Sequence, residues 1–428
     1  MKPEEGIEGH TLREEEDSQK FIPVILHGIT GRMGGIAFEA LKRIGDQGGV
    51  ATEEGRFIPT PIGLGRNPSK LEALRRDKGL KWAFTDLDEA LHKASAIHPE
   101  VVLYHNSLPT GVRHQVLMKV IPQLDPSTTA VFCEKPLAAN YREAKEVVDL
   151  LECRRFQHGV VHDMLETPGV RKALELIPRI KPLTCQMTFG YEVGAGFSEN
   201  PEYRGQRPDF NWILEGAGGG IILDMCHEAY LSRALFGPTD RLSAVARRLV
   251  PRRMSVNGKT VIYCDVEDYV SIRREHVGGV VNASTWSWFR RMNSEFGPLE
   301  VHIDGEMGSL VFGLYGLKVQ WKESAPANLW QRSVAGQQTR WLDFWEYVEL
   351  RPRDPFAVEL ERFIRCAVGR EKYPYDAVAS LESLGEVEAL YQSAAQDGAP
   401  IHHRDFLHYP DEVETSWSPE RLQSRFGV

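Results

Sequence analysis

The chain has 428 residues, more than one hydrophobic core usually holds, so two domains with terminal extensions are expected. Hydrophobic residues make up 42% and charged residues 26%, which excludes a mainly disordered or fibrous protein. The formal charge is −9, of which residues 1–20 carry −4 through seven acids and three bases. Wholesale binding to nucleic acid or to an anionic membrane needs the opposite sign.

Residues 1–20 read as an acidic solvated tail. The first apolar stretch begins at Phe21 behind that acidic segment, the reverse of a signal peptide, and no apolar run approaches the roughly 20 residues that span a bilayer. Six scattered cysteines (Cys133, Cys153, Cys185, Cys226, Cys264, Cys366) lack C-x-x-C spacing, which predicts reduced, mostly buried thiols, no metal site and a cytoplasmic location.

A buried-strand pattern over 21–27 runs into Gly28-Ile29-Thr30-Gly31-Arg32-Met33-Gly34, then into a helix with Met33, Ile36, Ala37, Ala40, Leu41 and Ile44 on one face. Residues 45–55 read as a long surface loop. A strand over 58–64 carries Pro59 and Pro61, which lack the amide donors a central strand needs and are therefore placed at its start. Helices over 86–94, 110–121 and 140–153 alternate with strands over 101–104, 130–133 and 159–162, the signature of a parallel sheet covered on both faces.

After about residue 180 the pattern becomes antiparallel. Strands are predicted over 183–191, 242–249, 260–264, 268–274, 280–288, 300–303 and 309–312, with a helix near 225–236. Helices over 355–369 and 377–395 close the chain, the second returning to the first domain. The tryptophan-rich stretch 321–352 is left as an ordered loop.

A strand, a glycine turn and a helix start form an anion site, because the first helical amides lack partners. Gly28, Gly31 and Gly34 are spaced G-x-x-G-x-x-G, with Thr30 at the middle position of the usual fingerprint, and a dinucleotide is the expected ligand. The second strand ends in Gly65-Arg66-Asn67 without the acid that grips the NAD ribose, which favours NADP over NAD. A helix cap from Asn67 is the structural alternative.

Glu134-Lys135-Pro136 ends a strand, after the Gly28–Gly34 turn and before Gly218-Gly-Gly-Ile-Ile-Leu-Asp224-Met-Cys-His227. With Pro355-Phe-Ala-Val-Glu-Leu-Glu-Arg-Phe363 and Glu388-Ala-Leu-Tyr391, this ordered set resembles the Gfo/Idh/MocA (glucose–fructose oxidoreductase / inositol dehydrogenase) family over roughly residues 21–400. Gly65-Arg-Asn-Pro68, Gly159-Val-Val-His-Asp163, Phe189-Gly-Tyr191, Gln206-Arg-Pro208, Asn211-Trp212 and Val250-Pro-Arg-Arg253 look like its sugar- or glycoside-oxidising subgroup.

The resemblance implies an α/β protein: an N-terminal Rossmann doubly wound parallel sheet, and a C-terminal α+β domain with a large, mostly antiparallel open sheet. The boundaries expected are a tail over 1–20, the dinucleotide domain over 21–160, the substrate and oligomerisation domain over 161–375, and a returning helix and tail over 376–428. The resemblance also implies a nicotinamide cofactor, a sugar, glycoside, inositol or related polyol as substrate, and a homo-oligomer (dimer or tetramer) built through the open sheet.

The cofactor residues expected are Gly28, Thr30, Gly31, Arg32, Met33, Gly34, Arg66, Asn67, Ser107, Glu134 and Lys135. Lys135 polarises the reacting oxygen, burial lowering its pKa into a useful range, and His227 takes the proton. Asp224 caps the following helix, with His227 one turn deeper on the same face, and fixes substrate hydroxyls or the imidazole tautomer. His162, Tyr191, Arg207 and Trp212 line a polyol pocket.

Four features depart from the family pattern. The middle glycine is shifted, Asp224 and His227 are three residues apart where four is common, Tyr230 stands where another acid is common, and Met164 replaces a basic or polar residue. Trp286 and Trp288 are expected at an oligomer interface. The pairs Arg247-Arg248, Arg252-Arg253, Arg273-Arg274 and Arg290-Arg291 are expected in solvent, an anionic substrate such as a uronate being the alternative. A dihydrodipicolinate-type reductase and a non-catalytic dinucleotide sensor are the competing readings of the whole chain.

Overall fold

The computed structural model describes residues 19–191, 200, 202, 207–324 and 340–403. The expected acidic tail, Gln206, the middle of the 321–352 stretch and the C-terminal tail lie wholly or mostly outside them.

The first sheet has seven strands. β1 (Gln19–His27) is followed by α1 (Arg32–Asp46), β2 (Val50–Thr52), β3 (Gly55–Leu64), α2 (Pro68–Lys78), β4 (Trp82–Phe84), α3 (Leu87–Ser95) and β5 (Val102–Asn106). Then come α4 (Thr110–Val120), β6 (Thr129–Cys133), α5 (Tyr141–Cys153) and β7 (Gln157–Val160). The order is β2-β3-β1-β5-β6-β7 with β4 beside β3, parallel apart from β2. This is the doubly wound arrangement, and its order reverses beside β1, where the glycine turn leaves the sheet. Helix starts are set by side-chain caps: Asn67, Asp86 and Asn140 each accept an amide three residues on.

Two expectations in this half are corrected. Residues 45–55 are not simply a loop, because β2 folds back antiparallel onto β3. Pro59 and Pro61 lie inside β3, not at its start. Residues 58–61 have β1 on one side and, on the other, the gap between the ends of β2 and β4, so the missing proline amides interrupt no ladder there.

After β7, the helix α6 (Pro168–Ile180), absent from the expected elements, leads to β8 (Pro182–Gly190). The short helices α7 (Leu214–Ala217) and α8 (Ile221–Asp224) precede α9 (His227–Phe236). Strands β9 (Thr239–Arg247), β10 (Arg252–Met254), β11 (Val261–Tyr263), β12 (Tyr269–His276) and β13 (Val281–Ser287) follow. The chain continues with β14 (Leu299–Gly305), β15 (Gly308–Phe312), β16 (Leu317–Trp321), β17 (Glu346–Tyr347), α10 (Pro355–Val368), α11 (Ala377–Ala395) and β18 (Ile401–His402). The second sheet runs β17-β16-β15-β14-β8-β13-β12-β9-β18, antiparallel except for β8 beside β13. β10 and β11 form a separate ribbon.

Period-two alternation buries one face of this sheet. Met187, Phe189, Ile272, Trp286, Val301 and Leu310 point inward to the helices, and Gln186, Thr188, Ser243, Ser271, Ala283 and Thr285 lie on the outer face. Trp286 and Trp288 are 1% and 0% exposed, and Trp286 stacks on Phe189 with ring centroids 4.7 Å apart. They are core residues of this chain, which corrects the interface expectation.

Two of the supposedly solvated arginines are also core residues. Arg253 pairs with Asp268 at 2.8 Å, and Arg274 pairs with Glu228 and Glu386 at 2.5 and 2.6 Å. A guanidinium is buried only with such charge-matched partners, and a single sequence does not reveal them. The closing helices stitch the halves together: α10 packs on α1 and β2, and α11 lies against both α5 and β9.

Candidate active site

The carboxyl ends of β1, β5, β6 and β7 meet residues 207–227, which lead into α9. At the first of these, Gly28 has φ +93°, and a Cβ there would sit 3.1 Å from the Ser107 carbonyl. A Cβ on Gly34 would come within 2.4 Å of the Gly28 carbonyl oxygen, so only glycine lets α1 start this close to β1. No side chain caps α1, its first turn holds no acid, and the amides of Arg32, Met33 and Gly34 have no partner among the described residues. Thr30 is half-buried, facing Gly65, and Arg32 is exposed.

Beside this turn, Ser107 Oγ and both carboxylate oxygens of Glu134 are buried without partners among the described residues. Burial pushes the Glu134 carboxyl up to about 7, against the pull of Arg113. Unpaired helix amides next to orphaned buried polar atoms fit the phosphates and polar edge of a dinucleotide. Asn67 is used within the protein, where its Oδ1 accepts the Lys70 amide at 3.0 Å, while Arg66 stands exposed beyond β3.

Lys135 follows β6. Its ammonium donates to the Asp224 main-chain oxygen at 2.7 Å and lies 3.5 Å from Oδ1 of the same residue. Burial favours the neutral amine, but Asp224, Asp163 and Glu134 outweigh it, so the pKa is raised. The expected lowering is therefore corrected: Lys135 keeps its proton.

Asp224 ends α8 and does not cap α9, whose N-cap is Cys226. The break at Met225 and Cys226 also separates Asp224 from His227, which do not share one helix face. Arg207 donates to Asp224 Oδ2, and Lys135 faces Oδ1. Burial opposes the charge on Asp224, but these two cations hold its carboxyl far below the usual range.

His227 opens α9. Its Nδ1 shares a hydrogen bond with the Tyr230 hydroxyl, one turn along the helix, and lies 3.8 Å from Asp163 Oδ1. Burial, then the Lys135 charge, lower its pKa well below the ordinary imidazole value, so the ring is neutral at pH 7. Asp163 starts the 3₁₀ turn Asp163–Glu166 after β7, and burial raises its pKa against the pull of Lys135. Lys135, Asp224, Asp163 and His227 thus share one crevice wall.

Asp163 and Tyr230 were not among the candidate site residues. Asp163 had a readable signal, since it follows a parallel strand at its carboxyl end. Tyr230 had one also, lying three residues beyond His227.

The four candidate pocket residues divide. The Arg207 guanidinium lies 4.5 Å above the Trp288 ring and 5.9 Å from that of Trp212. Trp212 is 2% exposed, covered by Arg253 at 4.3 Å and edged by Trp288, so it backs Arg207 from within the core. His162 is buried between Tyr230 and Tyr375; its Nδ1 donates to the Val160 carbonyl at 2.9 Å, and burial lowers its pKa to about 4. Tyr191 is half-buried just beyond β8.

Residues 62–162 match the family model described as an oxidoreductase family with an NAD-binding Rossmann fold (GFO_IDH_MocA). The chain is 28% identical over 385 residues to D-xylose dehydrogenase of Paenarthrobacter nicotinovorans, covering 87% of this chain and 95% of that one. Levoglucosan dehydrogenase in complex with NADH and levoglucosan shares the fold, with a TM-score of 0.69, 18% identity and coverage of 90% and 99% of the two chains. So does an oxidoreductase from Agrobacterium radiobacter solved with NAD+, L-tartaric acid and magnesium, with a TM-score of 0.65, 14% identity and coverage of 90% and 98%. No helix among the described residues is long and apolar enough to cross a membrane. The glycine turn, the Glu134-Lys135-Pro136 strand end and the Asp224-to-His227 segment stand together on this frame, and the chain is similar to the Gfo/Idh/MocA family of oxidoreductases, whose model matches residues 62–162.

Proposed function

We propose that this protein is a nicotinamide-dependent dehydrogenase acting on a hydroxyl, or in reverse a keto, carbon of a sugar or related polyol. The observation that carries the reading is the shared crevice wall: a charged ammonium and a neutral imidazole stand beside unpaired helix amides. The D-xylose dehydrogenase relative supports a neutral sugar as substrate. Gly28, Thr30, Gly31, Arg32, Met33 and Gly34 would hold the pyrophosphate, with Ser107, Glu134 and Lys135 toward the nicotinamide. Exposed Arg66, with no acid after β3, favours NADP over NAD in this reading.

When bound, the nicotinamide exchanges a hydride with the substrate carbon. The protein's own part is to position the substrate and move one proton. Lys135, held charged by its acidic neighbours, donates to the reacting oxygen and stabilises developing alkoxide. His227, neutral at pH 7, takes the hydroxyl proton at Nε2, which has no protein partner among the described residues. Asp224 and Arg207 would fix neighbouring hydroxyls, with Tyr191 at the rim, while Trp212 and His162 hold those groups in place.

The proposal also keeps the domain boundaries near residues 160 and 375, and a dimer or tetramer through the small, polar outer face of the second sheet. The test is a titration with NADH and NADPH followed by a screen of D-xylose, levoglucosan, inositols and keto-sugars at 340 nm. Tight cofactor binding with no turnover across that screen would favour the dinucleotide sensor instead.

A further inference from the structure

We propose that Asp163 is the positioning residue that sets the tautomer of His227 and balances the imidazolium formed during turnover. The proposal rests on the reading that His227 receives the substrate proton. Asp224, three residues before the ring, is already engaged: Arg207 takes Oδ2, and Lys135 faces Oδ1, while Glu228, the next residue after the ring, pairs with Arg274. Asp163 is different: among the described residues the His227 imidazole is the one basic side chain within 4 Å of its carboxylate, with Nδ1 3.8 Å from Oδ1.

The turn that carries Asp163 is firmly held. The His162 amide donates to Glu359 Oε1 at 2.5 Å, Val161 N–H to the Cys133 carbonyl at 2.9 Å, and Leu165 N–H to the His162 carbonyl at 2.8 Å. The charged or titratable groups around the ring are Lys135, Asp224, His162, Arg207 and Tyr230. Tyr230 is the competitor. If its hydroxyl donates to Nδ1, the ring proton sits on Nε2 and that nitrogen is blocked as a base. A carboxylate beside Nδ1 shifts the balance, because negative charge there favours Nδ1–H.

With Nδ1–H set, the step balances. The hydroxyl proton passes to Nε2 as the carbon's hydride passes to the oxidised nicotinamide, leaving a carbonyl and an imidazolium. That cation faces Asp163 and later releases the Nε2 proton to water. In a Ser-His-Asp triad the corresponding change to Asn drops kcat by about 10⁴ through the wrong tautomer. At 3.8 Å the carboxylate lies beyond hydrogen-bond distance, so a smaller loss of about 10²–10³ is expected here.

The experiment reads the tautomer directly, by long-range ¹H–¹⁵N correlation on [¹⁵N]histidine-labelled protein saturated with NADH, with His227→Asn assigning the ring. The expected result is Nδ1–H in the unmodified protein and in Asp163→Glu, and Nε2–H in Asp163→Asn. Nε2–H in the unmodified protein, or Nδ1–H persisting in a folded Asp163→Asn, overturns the proposal. The unmodified spectrum decides even if that variant does not fold. With D-xylose and NAD+ or NADP+ as probes, Asp163→Asn should also move the acid limb of kcat/KM to lower pH, with cofactor Kd within twofold. If the unmodified protein turns over none of the screened sugars, the substrate reading fails and the spectra still judge Asp163.

Discussion

Replacing Arg274 by Met tests what holds His227 in place. The Arg274 guanidinium donates from Nε and Nη2 to Glu228 at 3.1 and 2.5 Å, and from Nη1 to Glu386 at 2.6 Å and to Thr239 at 3.3 Å. Both carboxylates are nearly inaccessible, at 3% and 1% exposure. Met fills a similar volume but strands both charges. Among the described residues Glu228 keeps only the Ser232 and Ser284 hydroxyls, and Glu386 keeps Arg233 at 3.6 Å. Breaking a buried pair from one side costs about 3–5 kcal/mol, most of it the unpaired charge. Urea unfolding followed by circular dichroism should show that loss. Adding Glu228→Gln should restore part of it, because one stranded charge disappears. Since Glu228 directly follows His227 on α9, Arg274→Met should also lower kcat without weakening NADH binding. A loss below about 1 kcal/mol, or a double variant less stable by the sum of its parts, would refute this account of the buried arginine.

Lys135→Met should leave the NADH Kd within about threefold and lower kcat by about 10³ or more, measured by steady-state turnover of the best sugar from the screen. Gly34→Ala forces a Cβ to within 2.4 Å of the Gly28 carbonyl and pushes α1 off the turn, so NADH affinity should fall at least about tenfold by fluorescence titration. His105 is buried with both ring nitrogens unpartnered among the described residues, and burial lowers its pKa to about 3, so the unfolded chain binds a proton that the folded one refuses. Its contribution is present above about pH 6.5 and is lost as pH falls toward 3. His105→Met should therefore gain on the unmodified protein by about 1.4 kcal/mol per pH unit below 6.5, and parallel stability curves would contradict this.

The alternation of strand and helix over 21–162, the glycine turn and the antiparallel character after residue 180 were legible because each is written in local periodicity and turn chemistry. Lys135 and His227 were singled out by the family resemblance of short motifs at element ends, not by periodicity. Side-chain partnership was not legible. Asp224 and His227 look like neighbours on one helix, but the backbone breaks at Met225, and the acid beside the imidazole comes from Asp163, 64 residues earlier in the chain. Lys135 looks like a base awaiting a lowered pKa, yet the acids gathered around it keep it charged. The burial of Arg253, Arg274 and Trp286 likewise follows from which face of the second sheet meets the helices. Periodicity is a property of consecutive residues, whereas charge pairing and burial depend on groups far apart in the chain that only folding brings within a few ångströms.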